Sequence, residues 1–306
     1  MSHLYMKGLM LRTSIALVAV FGSLAVAAES AVQSLEYQSY VLTPTEGLPN
    51  GLTGRLKSSG RSTRGNYSVV VRESQTSQAA DAHTHSQLVE AWYVVEGTMT
   101  FQSREGAIDA PAGTFVLVPP GVEHGFKITA GKTVRLVQIF SPPGFENLFS
   151  ERLKLPSYDP GKEIGQQSAQ WKADQKDIAR KYGAGPADPP TQGQPLVRVP
   201  TPGLDRRVLA TAEESAGRYT LEELTFAPGK APSALPKVRE NDQAWYLLSG
   251  ELRVAFNTTE GRQEKILTSG DFVFLPRDTA FSASNPARQP ARLLLWQSKP
   301  RDLKAD

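Results

Sequence analysis

The chain contains two copies of one sequence pattern, which predicts two domains of the same fold. Ala91–Gly97 reads AWYVVEG and Ala244–Gly250 reads AWYLLSG, an offset of 153 residues. Further along, Gly113–Pro119 matches Gly270–Pro276 at an offset of 157, so the intervening segment is longer in the second copy. Such length differences belong in surface hairpin loops, where closing a slightly longer loop costs little entropy. A chain of 306 residues is long enough for two ordinary domains.

Each copy is built from short apolar runs that predict β-strands. Val, Phe, Tyr, Leu and Thr dominate residues 66–72, 91–95, 115–118 and 134–140, and Gly, Pro, Asn and Asp separate these runs. The chain has 25 Gly and 22 Pro, a load of turn residues that suits many short strands. The pattern predicts an antiparallel sandwich or small barrel in each copy.

Helical patterns occur between the two copies. Residues 143–153 carry apolar side chains at helical spacing, and residues 171–182 form a second helical pattern that ends at Gly183. Residues 184–200 are rich in Pro and Gly and predict an irregular connector. The boundary between the domains is therefore expected near residue 190.

The N-terminal segment has the features of a cleavable signal peptide over residues 1–27. Lys7 and Arg12 precede an apolar run over residues 15–20, and small residues follow over residues 24–28. The run is shorter than the roughly 20 apolar residues that a spanning helix needs. The segment predicts a periplasmic or secreted protein with no membrane association after cleavage.

Charge and cysteine content exclude several classes of function. Without the predicted signal peptide, 32 Lys and Arg face 31 Asp and Glu, so the mature chain is close to neutral. No dense run of basic residues follows, and we expect no nucleic-acid partner. Because Cys is absent, a metal would have to be bound by nitrogen and oxygen ligands.

Three histidines and one glutamate are spaced as ligands for a single metal ion. His83 and His85 are two residues apart, which on a strand places both imidazoles on one face, roughly 6 to 7 Å apart along the backbone. Glu90 begins the next strand, and His124 follows a turn over residues 119–121. This ligand set suits Fe(II), Mn(II), Ni(II), Cu(II) or Zn(II), one per chain, and leaves a coordination position for water or substrate.

These residues resemble the two conserved motifs of the cupin superfamily. The matching patterns are His83-x-His85-x4-Glu90-x6-Gly97 and Gly113-x5-Pro119-x-Gly121-x2-His124. The resemblance implies an all-β fold of two cupin barrels, of the double-stranded β-helix or jelly-roll type, joined by a short helical and Pro-rich connector. The implied domains are a metal-binding cupin domain over 40–155, a connector over 156–195 and a metal-free cupin domain over 196–306.

A second resemblance concerns the segment after the first copy. The run from Ser141 to Glu146 (SPPGFE), followed by Lys181-Tyr182-Gly183, is similar to quercetin 2,3-dioxygenase-like cupins. The resemblance implies a metal-dependent dioxygenase whose partners are O2 and a small flavonol-like or other enolisable aromatic substrate. Glu90 would then serve as a permanent ligand or as a catalytic base, and the sequence leaves both roles open.

Four further residues are candidates for substrate binding. Trp92, Phe101 and Phe126 would line a cavity, although aromatic side chains that face into a small barrel more often belong to its core, and we expect at least two of them there. Gln87 is expected on the strand face of His85, where it would either hydrogen-bond a bound ligand or lie at the rim of the barrel.

The second copy lacks the ligand set. His83 and His85 correspond to Pro236 and Val238, Glu90 to Gln243, and His124 to Phe281. The loss of these ligands predicts that the second barrel has a structural role and packs against the first. The alternative is a small-molecule pocket in the second barrel, lined by Arg239, Gln243 and Trp245.

Two other functions stay open at this point. One is a non-catalytic periplasmic protein that binds a metal or small molecule, and the other is an oxalate-type decarboxylase or oxidase. The oxalate hypothesis ranks lower because the second copy lacks ligands that such bicupins commonly retain. The sequence does not determine the oligomeric state and leaves a homodimer open.

Overall fold

The computed structural model describes residues 35–129, 131–186, 193–229, 240–258 and 260–301. The predicted signal peptide lies outside these ranges. Among the helices within them, none is both long and apolar enough to span a membrane.

The first barrel consists of two antiparallel sheets. The strands up to the second barrel are β1 (Tyr40–Leu42), β2 (Leu48–Asn50), β3 (Gly54–Ser58), β4 (Ser68–Ser74), β5 (Gln78–His85), β6 (Val89–Glu96), β7 (Thr98–Ser103), β8 (Gly106–Pro111), β9 (Phe115–Val118), β10 (His124–Ile128), β11 (Val134–Ser141), β12 (Ala184–Gly185) and β13 (Leu196–Arg198). A seven-stranded sheet has the order β13-β9-β6-β11-β4-β3-β2, and a five-stranded sheet has the order β12-β5-β10-β7-β8.

The second barrel repeats this arrangement with fewer strands among the described residues. Its strands are β14 (Arg206–Ala210), β15 (Thr220–Phe226), β16 (Asp242–Ser249), β17 (Leu252–Thr258), β18 (Gly261–Leu267), β19 (Phe272–Leu275), β20 (Phe281–Ser284) and β21 (Ala291–Ser298). They form a six-stranded sheet, β1-β19-β16-β21-β15-β14, and a three-stranded sheet, β18-β17-β20. The prediction of an all-β fold with two cupin-type barrels is confirmed.

Short helices lie between the barrels in the chain. They are a 3-10 helix over Phe145–Asn147, α1 (Leu148–Glu151), 3-10 helices over Arg152–Lys154 and Ile164–Gln166, and α2 (Ala169–Lys181). The Ser168 hydroxyl accepts a hydrogen bond from the Trp171 amide at the start of α2, and Gly183 follows its end at φ +79°. The indole of Trp171 is fully buried and donates to the Arg152 carbonyl, which ties α2 to the preceding helical segment.

Each large sheet has two buried faces, one toward the interior of its own barrel and one toward the other barrel, so both faces carry apolar side chains. In β6, Trp92 and Val94 point into the first barrel, while Ala91 and Tyr93 belong to a separate apolar cluster between the barrels. That central cluster also takes Trp296 from β21 of the second barrel. A strand with two buried faces has a nearly continuous apolar sequence, which explains runs such as AWYVV.

The two barrels exchange strands at their ends. Tyr40 in β1 lies opposite Phe274 in β19, so the first strand among the described residues extends the sheet of the second barrel. In return, Leu196 in β13 lies opposite Leu117 in β9 of the first barrel.

The predicted boundaries differ from the structure at both exchanged strands. The first domain was expected to begin at residue 40 and the second at residue 196, but the strands at those positions each pair with the other barrel. The connector was expected to be irregular, yet Ala184 in β12 pairs with His85 in β5. Short segments of this kind carry too little pattern of their own to reveal which sheet they join.

Candidate metal centre

The four predicted ligands come together inside the first barrel. His83 and His85 share one face of β5, and His124 in β10 lies directly opposite His83. The ring centroids are 4.4 Å apart for His83 and His124, 4.9 Å for His83 and His85, and 5.3 Å for His85 and His124. With Glu90 from β6, each residue offers one donor atom, and these atoms all lie within 4.8 Å of one another. One ion could contact all four.

Backbone carbonyls set the tautomer of two imidazoles. His83 Nδ1 lies 2.8 Å from the Asp81 carbonyl oxygen, and His124 Nδ1 lies 3.0 Å from that of Val122. Because a carbonyl oxygen only accepts, Nδ1 carries the proton in each ring, and Nε2 of the neutral ring keeps its lone pair. Carbonyls that orient histidines in this way are typical partners of metal ligands.

The carboxylate of Glu90 lies beside Nε2 of His85 and Nε2 of His124. Its Oε2 lies 2.9 Å from His85 Nε2 and 3.4 Å from His124 Nε2. With Nδ1–H of His124 bound to a carbonyl, the neutral ring turns a lone pair toward a carboxylate oxygen, an arrangement that a shared cation stabilises. Three imidazoles and one carboxylate therefore fit a first-row divalent ion, although the donor set does not determine which one.

The site favours the protonation states that a metal requires. Burial, reinforced by His124 and His85, lowers the pKa of His83 to about 4, so this imidazole is neutral near pH 7. Burial alone would raise the pKa of Glu90, but its contacts with the imidazoles of His124 and His85 outweigh burial and hold that pKa well below its usual range. A neutral imidazole and an ionised carboxylate are the forms that bind metal.

A polar chain behind Glu90 holds its second oxygen. Gln138 Nε2 donates to Glu90 Oε1 at 2.7 Å, and Arg72 Nε donates to Gln138 Oε1 at 2.7 Å. Arg72 also donates to Asn50 Oδ1 at 2.6 Å. With Oε1 held by Gln138, Oε2 is the oxygen directed at the histidines. The sequence analysis missed Gln138, whose signal was a single amide among the apolar residues of β11.

The four candidate ligands, called the metal cluster from here on, open onto a cavity of about 780 Å³. This volume lies within the range of small-molecule sites. His83 and Glu90 form part of its wall, as do apolar side chains of the barrel and the covering helices. Phe145, from the first 3-10 helix, reaches the metal cluster itself, with its ring 4.4 Å from that of His85.

The predicted substrate-binding residues divide between this cavity and other locations. Trp92 and Phe126 line the cavity, and Trp92 is also part of the barrel core. Phe101 is fully buried behind Trp92, with ring centroids 5.0 Å apart, and is not part of the cavity wall. Gln87 was expected on the strand face of His85, but β5 ends at His85 and Gln87 is an exposed turn residue away from the cavity.

The second barrel fills the equivalent position with a different set of contacts. Gln243 accepts a hydrogen bond from Trp245 Nε1 at 3.1 Å, and the Phe281 ring packs 5.3 Å from that of Trp245. Gln243 and Trp245 are both buried. The other two counterparts, Pro236 and Val238, lie outside the described residues, as does Arg239 of the alternative pocket.

Comparisons with known proteins agree with this architecture. The family model described as the cupin domain matches residues 70–140. A search of curated proteins produced no match.

Solved structures with the same fold share little sequence with the chain. Protein Ylba from E. coli is 13% identical with a TM-score of 0.57, and the match covers 88% of this chain and 94% of that one. Oxalate decarboxylase from Lactobacillus farciminis, solved as a formate complex, is 13% identical with a TM-score of 0.52, covering 85% and 86%. Procruciferin, an 11S globulin from Brassica napus, is 12% identical with a TM-score of 0.53, covering 88% and 86%.

Proteins with such different names share the fold, so the fold alone does not assign an activity. The family model covers the strand that carries His83 and His85, the strand that carries Glu90 and the strand that carries His124. The first barrel therefore matches the cupin-domain model and holds a histidine and glutamate cluster suited to a metal, in a chain with an all-β fold of two cupin-type barrels.

Proposed function

We propose that the chain is an exported, metal-dependent cupin dioxygenase that acts on an enolisable aromatic substrate of the flavonol type. The observation that carries the proposal is the position of His83 and Glu90, which belong both to the ligand cluster and to the wall of the cavity. Structural metal sites are usually closed by protein ligands, whereas catalytic sites keep one position accessible.

The bound cation, Fe, Mn, Ni or Cu with Zn as the non-redox case, would supply Lewis-acid activation of a substrate hydroxyl and a site for reaction with O2. The chain supplies the rest. Glu90 Oε2 is placed to take the proton of that hydroxyl, because Gln138 holds the other carboxylate oxygen. Trp92 and Phe126 offer an aromatic wall against which a planar substrate can pack.

The primary experiment measures metal content together with oxygen uptake. Protein exported in its native host is analysed for metal, alongside His83→Ala, and both are supplied with flavonols under air. We expect one equivalent of a redox metal and oxygen consumption, both lost in His83→Ala. Export in the host matters because affinity order alone lets a foreign cytoplasm load the wrong metal.

Glu90→Gln tests the base role separately. We expect this variant to keep a measurable fraction of metal and to lose oxygen uptake, since an amide cannot accept the substrate proton. Unchanged turnover at full metal loading would remove Glu90 from that role.

Three other results would replace the proposal. One equivalent of Zn without oxygen uptake, with ligands that raise the melting temperature only of the metal-loaded form, would indicate a non-catalytic binding protein. Formate release from oxalate would indicate the chemistry named for the Lactobacillus neighbour. Absence of metal from both proteins would exclude the metal site itself.

A further inference from the structure

One arginine in the cavity wall has no counter-charge. Arg152 lies in the 3-10 helix over Arg152–Lys154, and its side chain lines the cavity that contains the metal cluster. Its Nε is buried without a hydrogen-bond partner, and across the described part of the chain its guanidinium forms no ion pair. Its contact is with the ring of Phe149, whose centroid lies 5.1 Å from the guanidinium carbon.

Nearby acidic side chains are already engaged elsewhere. Glu151, the preceding residue, bonds to Lys181 and Tyr182. Glu146 accepts a hydrogen bond from the Gly144 amide. Of the two acidic residues that line the cavity, Asp81 and Glu90, Glu90 is directed at the histidines and Gln138.

The neighbouring arginine shows how this protein satisfies a buried guanidinium. Arg72 packs on the same Phe149 ring at 3.9 Å, but its nitrogens donate to Gln138 and to two oxygens of Asn50. Arg152 has no such set of acceptors. Removing a guanidinium from water without acceptors costs free energy, and the carboxylate of a ligand in the cavity would supply the acceptors that Arg152 lacks.

The cavity wall as a whole is positively charged, like Arg152 itself. It includes six basic side chains and two acidic ones, and Glu90 is committed to the ligand cluster. The basic ones are Arg72, Lys127, Arg152, Lys172, Lys176 and Arg180. Burial lowers the pKa of Arg152 to about 10, which leaves it charged near neutral pH. A cleft with this balance of charge concentrates anions.

We propose that the substrate is a carboxylic acid. Arg152 binds the carboxylate of the substrate, while the oxygen of the substrate's enolisable group lies at the metal cluster. A guanidinium presents two parallel N–H donors that match the two oxygens of a carboxylate. The aromatic side chains around Arg152 and the metal cluster, among them Phe149 and Phe145, fit an aromatic body between the two ends. This inference rests on the proposed function, because it names the substrate class of the same site.

The test compares acids with their carboxamides in the metal-loaded protein. Suitable probes are phenylpyruvate and a 3-hydroxyflavone with a carboxylate on its outer ring, each beside its carboxamide. Binding is measured by calorimetry without oxygen, so that no turnover is needed. We expect each acid to bind about 10- to 100-fold more tightly than its carboxamide, the range for a charge-assisted hydrogen-bonded pair.

Variants assign that preference to Arg152. Arg152→Gln should abolish the preference for the acid while leaving carboxamide affinity within about twofold, and Arg152→Lys should restore part of it, since a lysine keeps the charge but not the paired donors. Arg253→Gln, an exposed position of the second barrel, is the matched control and should change nothing. If Arg152→Gln does not fold, Arg152→Lys and the wild-type comparison still decide.

Equal affinity for acid and carboxamide in the wild type, or an unchanged preference in Arg152→Gln, would overturn the inference. Oxygen uptake separates it from the proposed function. Acid binding through Arg152 without oxygen uptake would support the substrate class and reject the dioxygenase. Uptake with neutral flavonols that does not depend on Arg152 would support the dioxygenase and reject the substrate class.

Discussion

The two barrels share a strand register but differ in what that register places inside. Glu90 lies opposite Val118 in the first barrel, and its counterpart Gln243 lies opposite Leu275 in the second. The offsets of 153 and 157 residues found in the sequence are therefore the offsets of the strand pairing. Equivalent backbone positions carry the histidine and glutamate cluster in the first barrel and an amide packed against an indole in the second.

The difference extends beyond the ligands to the groups that support them. Strand pairing places Leu295 where the first barrel has Gln138, and Leu224 where it has Arg72. Both leucines are buried in the core of the second barrel. The second barrel thus has apolar residues in place of Gln138 and Arg72. The barrel fold therefore does not require these polar residues, whereas the site uses them to hold Glu90.

The largest expected effect comes from replacing a ligand of the first barrel by the residue at the equivalent position of the second barrel. His124→Phe should lower metal affinity by more than about 100-fold, because a nitrogen that would bind the metal directly is lost and a phenyl ring cannot replace it. Metal content after dialysis against a chelator measures the effect. The reciprocal change, Phe281→His, should give the second barrel no metal, since Gln243 is not a carboxylate. Full metal retention in His124→Phe would mean that the four residues do not act as one site.

The next effect concerns the polar chain. Gln138→Leu copies the second barrel and leaves Glu90 Oε1 and Arg72 Nε without their partner. We expect a 10- to 100-fold loss of metal affinity and a loss of about 2 kcal/mol in the free energy of unfolding. Chemical denaturation and metal titration measure the two quantities.

A second substitution sharpens that prediction. Adding Arg72→Leu should recover part of the stability, because the unpaired guanidinium is removed, but should not recover metal affinity. Recovery of both would show that Gln138 acts only on Arg72 and has no role in orienting Glu90.

A smaller effect should be equal in the two barrels. Gly97 and Gly250 follow corresponding strands and both have φ +80°. A Cβ would lie 2.4 Å from the Thr133 carbonyl oxygen at Gly97 and 2.6 Å from that of Pro290 at Gly250. Gly97→Ala and Gly250→Ala should each lower the free energy of unfolding by roughly 1–3 kcal/mol. A large difference between the two values would show that the hairpins are not equivalent.

The smallest effect is a pH dependence confined to the first barrel. The pKa of His83 is lowered to about 4 from its ordinary value near 6.5, so between these values the unfolded chain takes up a proton that the metal-free folded protein does not. The free energy of unfolding should therefore fall, on the order of 1 kcal/mol, as pH drops from about 7 to 5. His83→Gln should weaken this dependence. A pH dependence identical in that variant would assign the effect to other groups.

Local spacing predicted the ligands because the relevant geometry is local. His83 and His85 share a strand face because of the two-residue period of a β-strand. The sequence repeat alone was enough to identify Gln243 and Phe281 as the counterparts of Glu90 and His124. The prediction for Gln87 was wrong because β5 ends at His85, so the alternation of a strand does not extend to Gln87.

Residues that act through tertiary contacts gave little signal. Arg72 and Gln138 are 66 residues apart, and each is a single polar residue in an apolar strand. Arg152 was part of a predicted helical segment, but that segment is broken into short turns, and its approach to the metal cavity depends on how they fold back over the barrel. Dioxygenase activity, export and the second barrel's role stay predictions.

Strand exchange makes the duplication physically indivisible. The first barrel's sheet ends in a strand that the chain reaches only after the connector, and the second barrel's sheet ends in one supplied from before the first barrel. Cutting the chain between residues 186 and 193 would separate two fragments that each hold an edge strand of the other. We expect each fragment alone to lack one edge strand of its barrel, and the two fragments together to reassociate through the exchanged strands β1 and β13.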